Sequence, residues 1–483
     1  MDGALLDSAT EFRHLVGSLQ YLTLTLPNIA FVVSNVAQFL SAPRQPHLVA
    51  VKRILRYLKG PLDQELESLN PLLDDYNCIY RVPKRLRELN EKAFTPQVVS
   101  IGPMHHGTDK LMPMEAHKRK YLQEFLQRTN ANMNDYVRII KTNEDKLCNS
   151  YAEDFDLSSD EFVKMILVDA AFIIEILLKS KFRNLQSRND RIFAKPWMIV
   201  DIMFDMCLLE NQLPFFILEE LFAEANISMS SRDNTKPPIK KLIHDFTKDM
   251  WDFSKIDDNL DNKCFDKVEH LVDFLSICLV PSESDRPKKT SLGTLTTPSV
   301  TVLHQAGVKF KRSSKNSLFE IKFNYRSGIL EIPCLKVVKE TELLFRNLLA
   351  FEQCHGSTNC INDFVVLINL LVKTPKDVDL LVYFGIIENW MPADSVGVST
   401  LFQSLVKETS IIPENFYFAG LVEDMNRYCA TPRHRLKITL SGKYFKNPWA
   451  FVTVVAANII FLLALIQAVC SVIQVVFMKY GIK

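Results

Sequence analysis

The sequence predicts a mainly α-helical protein: a large helical domain with a small β-hairpin region and one C-terminal transmembrane helix. Three observations carry that expectation. Apolar residues recur at helical spacing through most of the chain, a single stretch over 317–335 alternates apolar with polar side chains, and no charged residue stands between Trp449 and Met478.

The chain opens MDGALLDSATEF, with acids at Asp2, Asp7 and Glu11 and no basic region before an apolar core, so a secretory signal is not expected. The following run, HLVGSLQYLTLTLPNIAFVVSNVAQFLSAPRQPHLVAVKRILRYLKG, resembles the connection between the reverse transcriptase and RNase H parts of a copia-type retrotransposon polyprotein. "LVGSLQYLT" and "H..AVKRILRYLKG" stand in that family's order, although Leu26 replaces its usual Arg. The resemblance brings no chemistry with it. Polymerase catalysis needs adjacent aspartates to hold two metal ions, and no Asp or Glu occurs between Phe12 and Pro61. Residues 1–60 read as an inactive remnant or a gene-model artefact, with a helix over Leu48 to Leu58, and 61–75 as a linker.

Helices dominate the remainder of the chain. Met114 to Arg128 is amphipathic, and Glu161 to Ser180 is apolar on nearly every side, which predicts a buried central helix whose Asp169 and Glu175 need partners. Met198 to Phe222 reads as a long apolar helical region broken at Pro214. Residues 281–299, PSESDRPKKTSLGTLTTPS, form a polar internal linker that would tolerate insertion or phosphorylation. Phe319, Ile321, Phe323 and Tyr325 alternate with polar residues before Arg326-Ser327-Gly328 turns the chain into ILEIPCL, hence the hairpin. Thr374-Pro375 starts another helix, with Asp377 and Asp379 placed to favour its dipole.

At 1.5 Å per residue the uncharged run from Trp449 to Met478 spans roughly 45 Å, more than the ~30 Å hydrocarbon core. Trp449, Phe461, Leu463 and Phe477 mark the anchor over 449–478. Arg433, Arg435, Lys437, Lys443 and Lys446 precede it, no acid occurs after Asp424, and only Lys479 and Lys483 follow. The positive-inside bias therefore expects a cytosolic N-terminal domain on the plasma membrane or an endomembrane. Those basic side chains could also hold the domain against anionic headgroups.

Net charge is +1, which removes the broad basic footprint of a nucleic-acid binder. The ten cysteines are scattered without a CxxC pair, as expected of reduced, mostly buried thiols rather than a zinc ribbon or disulfide framework. Neither GxSxG, P-loop, GxGxxG after a strand nor HExxH is present. His105, His106, Glu115 and His117 are the best metal-ligand candidates, but adjacent side chains diverge and a surface loop explains them. Cys354, His355 and Cys360 leave a fourth ligand unnamed, and Cys354 reads as the packed end of a helix. The pairs Glu219-Glu220 and Asp257-Asp258 read as solvated faces. No catalytic, cofactor-binding or metal residue is assigned.

Between Tyr76 and Tyr444 the strings CIYRVPKRLRELNEKAFTPQVVSIGPMHHG, LMPMEAHKRKYLQEFLQR, MILVDAAFIIEIL, MCLLENQLPFFILEELF and FRNLLAFEQCH succeed one another. INDFVVLINLLVKTPKDVDLLVYFGIIENW comes after them. In this order they resemble the plant family called domain of unknown function 247, over 76–445. Ala170-Ala171 departs from its usual Gly followed by Cys or Ser. The resemblance implies a C-terminal membrane helix and no established biochemical activity, with some relatives implicated in self-incompatibility and stress responses. Sequence and resemblance thus point to a single-pass membrane-anchored plant protein of unknown biochemical activity, a non-enzymatic interaction or signalling protein whose partners are the bilayer and other proteins and not nucleic acid. The alternative is an enzyme with an unrecognised site in the helical domain.

Overall fold

The computed structural model describes residues 9–23, 29–44, 46–55, 77–129, 131–188, 190–225, 236–251, 265, 267–282, 286–287, 293, 296–314, 317–356, 359–409, 411–443 and 448–481. The chain forms two units, Met1–Asn77 and Cys78–Lys483. The first contains α1 (Ala9–Leu22), α2 (Ala30–Ala37) and a helix α3 over 46–55. Phe12, Val16 and Leu19 of α1 meet Val33 and Val36 of α2 and Val51 and Ile54 of α3 in a small core. Residues 56–58 of the expected third helix lie outside the described residues.

In the second unit a short turn α4 (Lys84–Arg87) leads to α5 (Met112–Thr129), α6 (Met133–Thr142), α7 (Glu144–Cys148) and α8 (Ser159–Lys181). Next come α9 (Pro196–Met206), α10 (Phe215–Glu224) and α11 (Ile239–Trp251). Helix α8 is the centre of this half, with α5, α6, α10 and α11 packed around it. Its start is fixed by a capping box: Glu161 N–H donates to Ser158 Oγ (3.4 Å) and Ser158 N–H to Glu161 Oε2 (3.0 Å). From Phe162 to Lys179 every residue is buried except Lys164. Ala170 and Ala171 are enclosed as well, at 0% and 1% exposure.

The second half runs α12 (Leu271–Leu279), α13 (Val300–Ala306), β1 (Lys309–Arg312), β2 (Lys322–Asn324), β3 (Ile329–Ile332) and β4 (Leu335–Val337). It continues with α14 (Thr341–His355), α15 (Cys360–Leu371), α16 (Pro375–Tyr383), β5 (Ile387–Asn389) and α17 (Ser395–Leu405). Helices α18 (Ala419–Ala430), α19 (Pro432–Lys443) and α20 (Pro448–Tyr480) complete it. Helices α14, α15 and α17 pack on one another and α12 packs against α14, and the two halves share one continuous core.

The hairpin is present but narrower than the alternation suggested. Strand β2 pairs antiparallel with β3, while Phe319 and Ile321 are buried ahead of β2 rather than within it. Asn324 accepts the N–H groups of Arg326 and Ser327 at 3.1 Å each, closing the turn. Strand β1 lies parallel on the other side of β3, and β4 pairs parallel with β5. The KFKR sequence of β1 carries no apolar run that would reveal a strand. The apolar region after Met198 also differs: α9 ends at Met206, well before Pro214, and 207–214 is a buried loop. Much of the expected internal linker, and all of 226–235, lie outside the described residues.

Helix α20 contains Val455–Val476, which is long and apolar enough to cross a membrane and none of whose residues is buried. It is the one such helix among the described residues.

Candidate functional site

The metal candidates separate in space. His105 turns to Glu210, with Nε2 3.5 Å from Oε2, and His106 is exposed. Glu115 bonds Lys118 (2.5 Å) and accepts from Ser100 Oγ (3.3 Å), while His117 sits on the far side of α5. Burial, then the charges of Arg191 and Lys120, hold the His117 imidazole below its usual range. Cys354 is exposed, correcting its reading as a packed helix end, whereas Cys360 is buried. His355 pairs with Glu269 at 3.3 Å, which raises its basicity. No group of three or more His, Cys, Asp or Glu able to hold a metal occurs among the described residues.

The acid pairs fare differently. Glu219 reaches Lys240 (3.0 Å) and Glu220 accepts from Asn143 (2.7 Å), both only half-exposed. Asp257 and Asp258 lie outside the described residues.

What the sequence concealed is a polar knot at the centre of the second unit. Residues 97–102 belong to neither helix nor strand, and 99–102 are buried, so their backbone groups need partners from elsewhere in the chain. Side chains take that role. Asp205 accepts the N–H groups of Gln97 (2.8 Å), Val98 (2.6 Å) and Val99 (2.8 Å). Asn211 accepts Ile101 N–H (2.7 Å) and donates to the Val99 carbonyl (3.0 Å), and Asp169 accepts Gly102 N–H (2.9 Å).

The loop over 207–214 is held in the same manner. Asn347 accepts Leu209 N–H (2.8 Å), and Gln212 donates to the Met206 and Leu208 carbonyls (2.7 Å each) while accepting Leu271 N–H (3.0 Å). Glu210 accepts Val82 N–H (2.7 Å) and pairs with Arg87. Gly102 is required where the two segments meet: its φ is +71° and a Cβ there would stand 2.5 Å from the Gln212 carbonyl oxygen.

Burial pushes the Asp205 carboxyl up to about 6 despite its three backbone donors. Its oxygens are occupied by the fold. The void beside Asn211 and Gln212 is about 10 Å³, room for one water at most and for no organic substrate.

Asp169 and Glu175, the interruptions in α8, do find partners. Lys118 meets Asp169 at 2.5 Å, and Arg128 grips Glu175 with Nε at 2.8 Å and Nη2 at 3.0 Å. Lys179 adds contacts to Glu124 (2.5 Å) and Asp190 (2.8 Å), above the Tyr121 ring. These ions register α5 on α8.

At the other end, α19 carries Arg433, Arg435 and Lys437, all exposed. The backbone of Lys443 closes the helix, and Lys446 lies outside the described residues. His434 Nδ1–H donates to the Ala306 carbonyl (2.8 Å) and its ring stacks on Tyr428 at 3.9 Å. In α20, Phe461 and Leu463 are 65% and 59% exposed, and Trp449 and Phe477 belong to the same helix. Apolar side chains at that exposure favour an apolar solvent over water.

The fold thus defines a mainly helical domain followed by one helix of membrane length. The chain belongs to the DUF247 family, plant proteins of unknown function, which it matches over residues 79–463. It is 28% identical over 431 residues to a UPF0481 protein of Arabidopsis thaliana, covering 84% of this chain and 88% of that protein. A second UPF0481 protein of the same plant is 23% identical over 498 residues, with 84% and 92% covered. A short segment is 52% identical over 58 residues to the retrovirus-related Pol polyprotein from transposon RE1 of Arabidopsis thaliana, 12% of this chain and 4% of the polyprotein. No solved structure matches.

Proposed function

We propose that this protein is a bilayer-tethered interaction protein whose helical domain faces the cytosol and presents its surface to other proteins. The reading rests on one observation above the rest: every residue of the apolar span Val455–Val476 is exposed. Burying a single large apolar side chain is worth roughly 1.5–3 kcal/mol, so a helix of this length leaves water strongly. Orientation follows the excess of Arg and Lys before the uncharged run 449–478 over Lys479 and Lys483 after it. A non-catalytic role is supported by the polar knot, whose carboxylates and amides are engaged by backbone groups around a void too small for a substrate.

Alkaline carbonate extraction tests the tether. The full-length chain should stay with membranes and a copy truncated before Trp449 should wash off. Retention of both, or release of both, contradicts the proposal. Proximity labelling with the same pair tests the interaction role, since identical neighbour sets are incompatible with it. Glycan on Asn226, in the sequon Asn226-Ile227-Ser228, would place the domain on the luminal side and reverse the orientation.

A further inference from the structure

Helix α19 is not a free linker between the domain and α20. It packs against α13 and α18, and the side chains that hold it lie on one arc. His434 donates to the Ala306 carbonyl at the C-terminus of α13, Ile438 packs against the main core, and the Lys437 ammonium lies where a Cβ on Gly307 would be 3.1 Å away. Those are the positions where a helix end has carbonyls without partners and welcomes a cation.

At 100° per residue, Arg433, Arg435 and Leu436 project from the rest of the circumference. Leu436 is 60% exposed, both arginines are exposed, and neither has an ion-pair partner among the described residues. An exposed leucine between two unpaired arginines is the composition of a helix that lies in a headgroup layer.

The covalent chain decides what can cover it. Five residue steps separate Lys443 from Pro448, a reach of about 17 Å at full extension. Helix α20, with 33 residues, is about 50 Å long and exceeds the ~30 Å hydrocarbon core, so its first turns already stand among headgroups. No Asp or Glu follows Asp424 to oppose an anionic surface.

We propose that α19 docks the domain onto an anionic bilayer surface. Arg433 and Arg435 take lipid phosphates and Leu436 enters the interfacial layer, while His434, Lys437 and Ile438 fasten the helix to the domain and fix its orientation. This rests on the bilayer reading of α20, and the two fail separately.

The experiment uses the full-length chain in vesicles of phosphatidylcholine alone or with phosphatidylserine, carrying a diazirine side chain at residue 436 or, in a second preparation, at 438. Photolysis at 436 should capture lipid, with several-fold higher yield when phosphatidylserine is present; at 438 it should capture the chain itself. Arg433→Glu and Arg435→Glu should each lower the phosphatidylserine-dependent capture by about fivefold, with carbonate resistance unchanged. Carbonate-resistant chain with no lipid capture at 436, equal capture in both vesicles, or capture of a second copy overturns the docking face. Chain that carbonate releases overturns the tether as well.

Discussion

Helices α8 and α20 are both long and apolar, yet one is enclosed by protein and the other is exposed along Val455–Val476. The difference lies in their charges. Helix α8 carries Asp169, Glu175 and Lys179, each buried and each matched by a partner on α5 or beside it. Between Trp449 and Met478, α20 carries none. An ion in an apolar helix is tolerated only where an opposite charge is delivered by the fold, and a bilayer delivers none. Paired charge therefore separates a helix that makes a protein core from one suited to lipid.

The sharpest way to break that contrast is to unpair a charge in α8. Lys118→Met leaves Asp169 buried without its cation and should cost about 3–5 kcal/mol, read as a lowered denaturation midpoint by circular dichroism. A stability within about 1 kcal/mol of wild type would refute the pairing argument. The converse change, Leu465→Arg near the middle of Val455–Val476, should cost about 2.5–3.5 kcal/mol of membrane insertion while leaving the domain's melting temperature unchanged. Reduced carbonate resistance with unaltered melting is the expected pair of results; a lowered melting temperature would mean that α20 is part of the core.

Acid should distinguish the two regions as well. Burial holds the His270 imidazole down to about 4, against 6.5 for the free side chain. The unfolded chain thus binds the proton first, so His270 favours folding fully above pH 6.5 and loses that contribution as pH falls toward 4, a difference of about 3 kcal/mol. Asp205, Asp273 and Asp363, each raised to about 6 by burial, act in the opposite sense: their folded forms hold protons longer, and stability falls as pH rises from 3.8 to 6. His270→Asn keeps a side chain able to cap α12 and removes only the histidine's part, so its stability relative to wild type should improve as pH falls from 6.5 to 4. A constant difference across that range would contradict a neutral buried imidazole. Membrane retention of α20 should not change over the same range.

The smallest effect is expected at the start of α8. Ser158→Ala removes the acceptor for Glu161 N–H and should cost about 1 kcal/mol, visible as a small shift in denaturation midpoint with no change in membrane retention.

Much of this was legible without coordinates. The burial of α8, the start of α16 at Thr374-Pro375 and the length of α20 are written in side chains that neighbour one another in the chain, and the partner requirement of Asp169 and Glu175 follows from burial alone. The loop over 207–214 was not legible. The sequence reads it as part of a helical region running to Pro214, yet it is a loop whose Glu210, Asn211 and Gln212 are 1%, 0% and 2% exposed. Nothing in their spacing shows that the backbone of 97–102, more than a hundred residues earlier, lacks partners until they arrive. The approach of His105 to Glu210 and the exposure of Cys354 were hidden for the same reason.

Sequence by itself determined the helical periodicity, the caps and the uncharged span of α20, because each depends on residues within a few positions or on composition. Tertiary structure decided which carboxylates bind lysine and which bind backbone, and which face of α19 remains open. Those outcomes depend on groups brought together across the chain, where a buried N–H or an unpaired charge costs free energy until a distant side chain satisfies it.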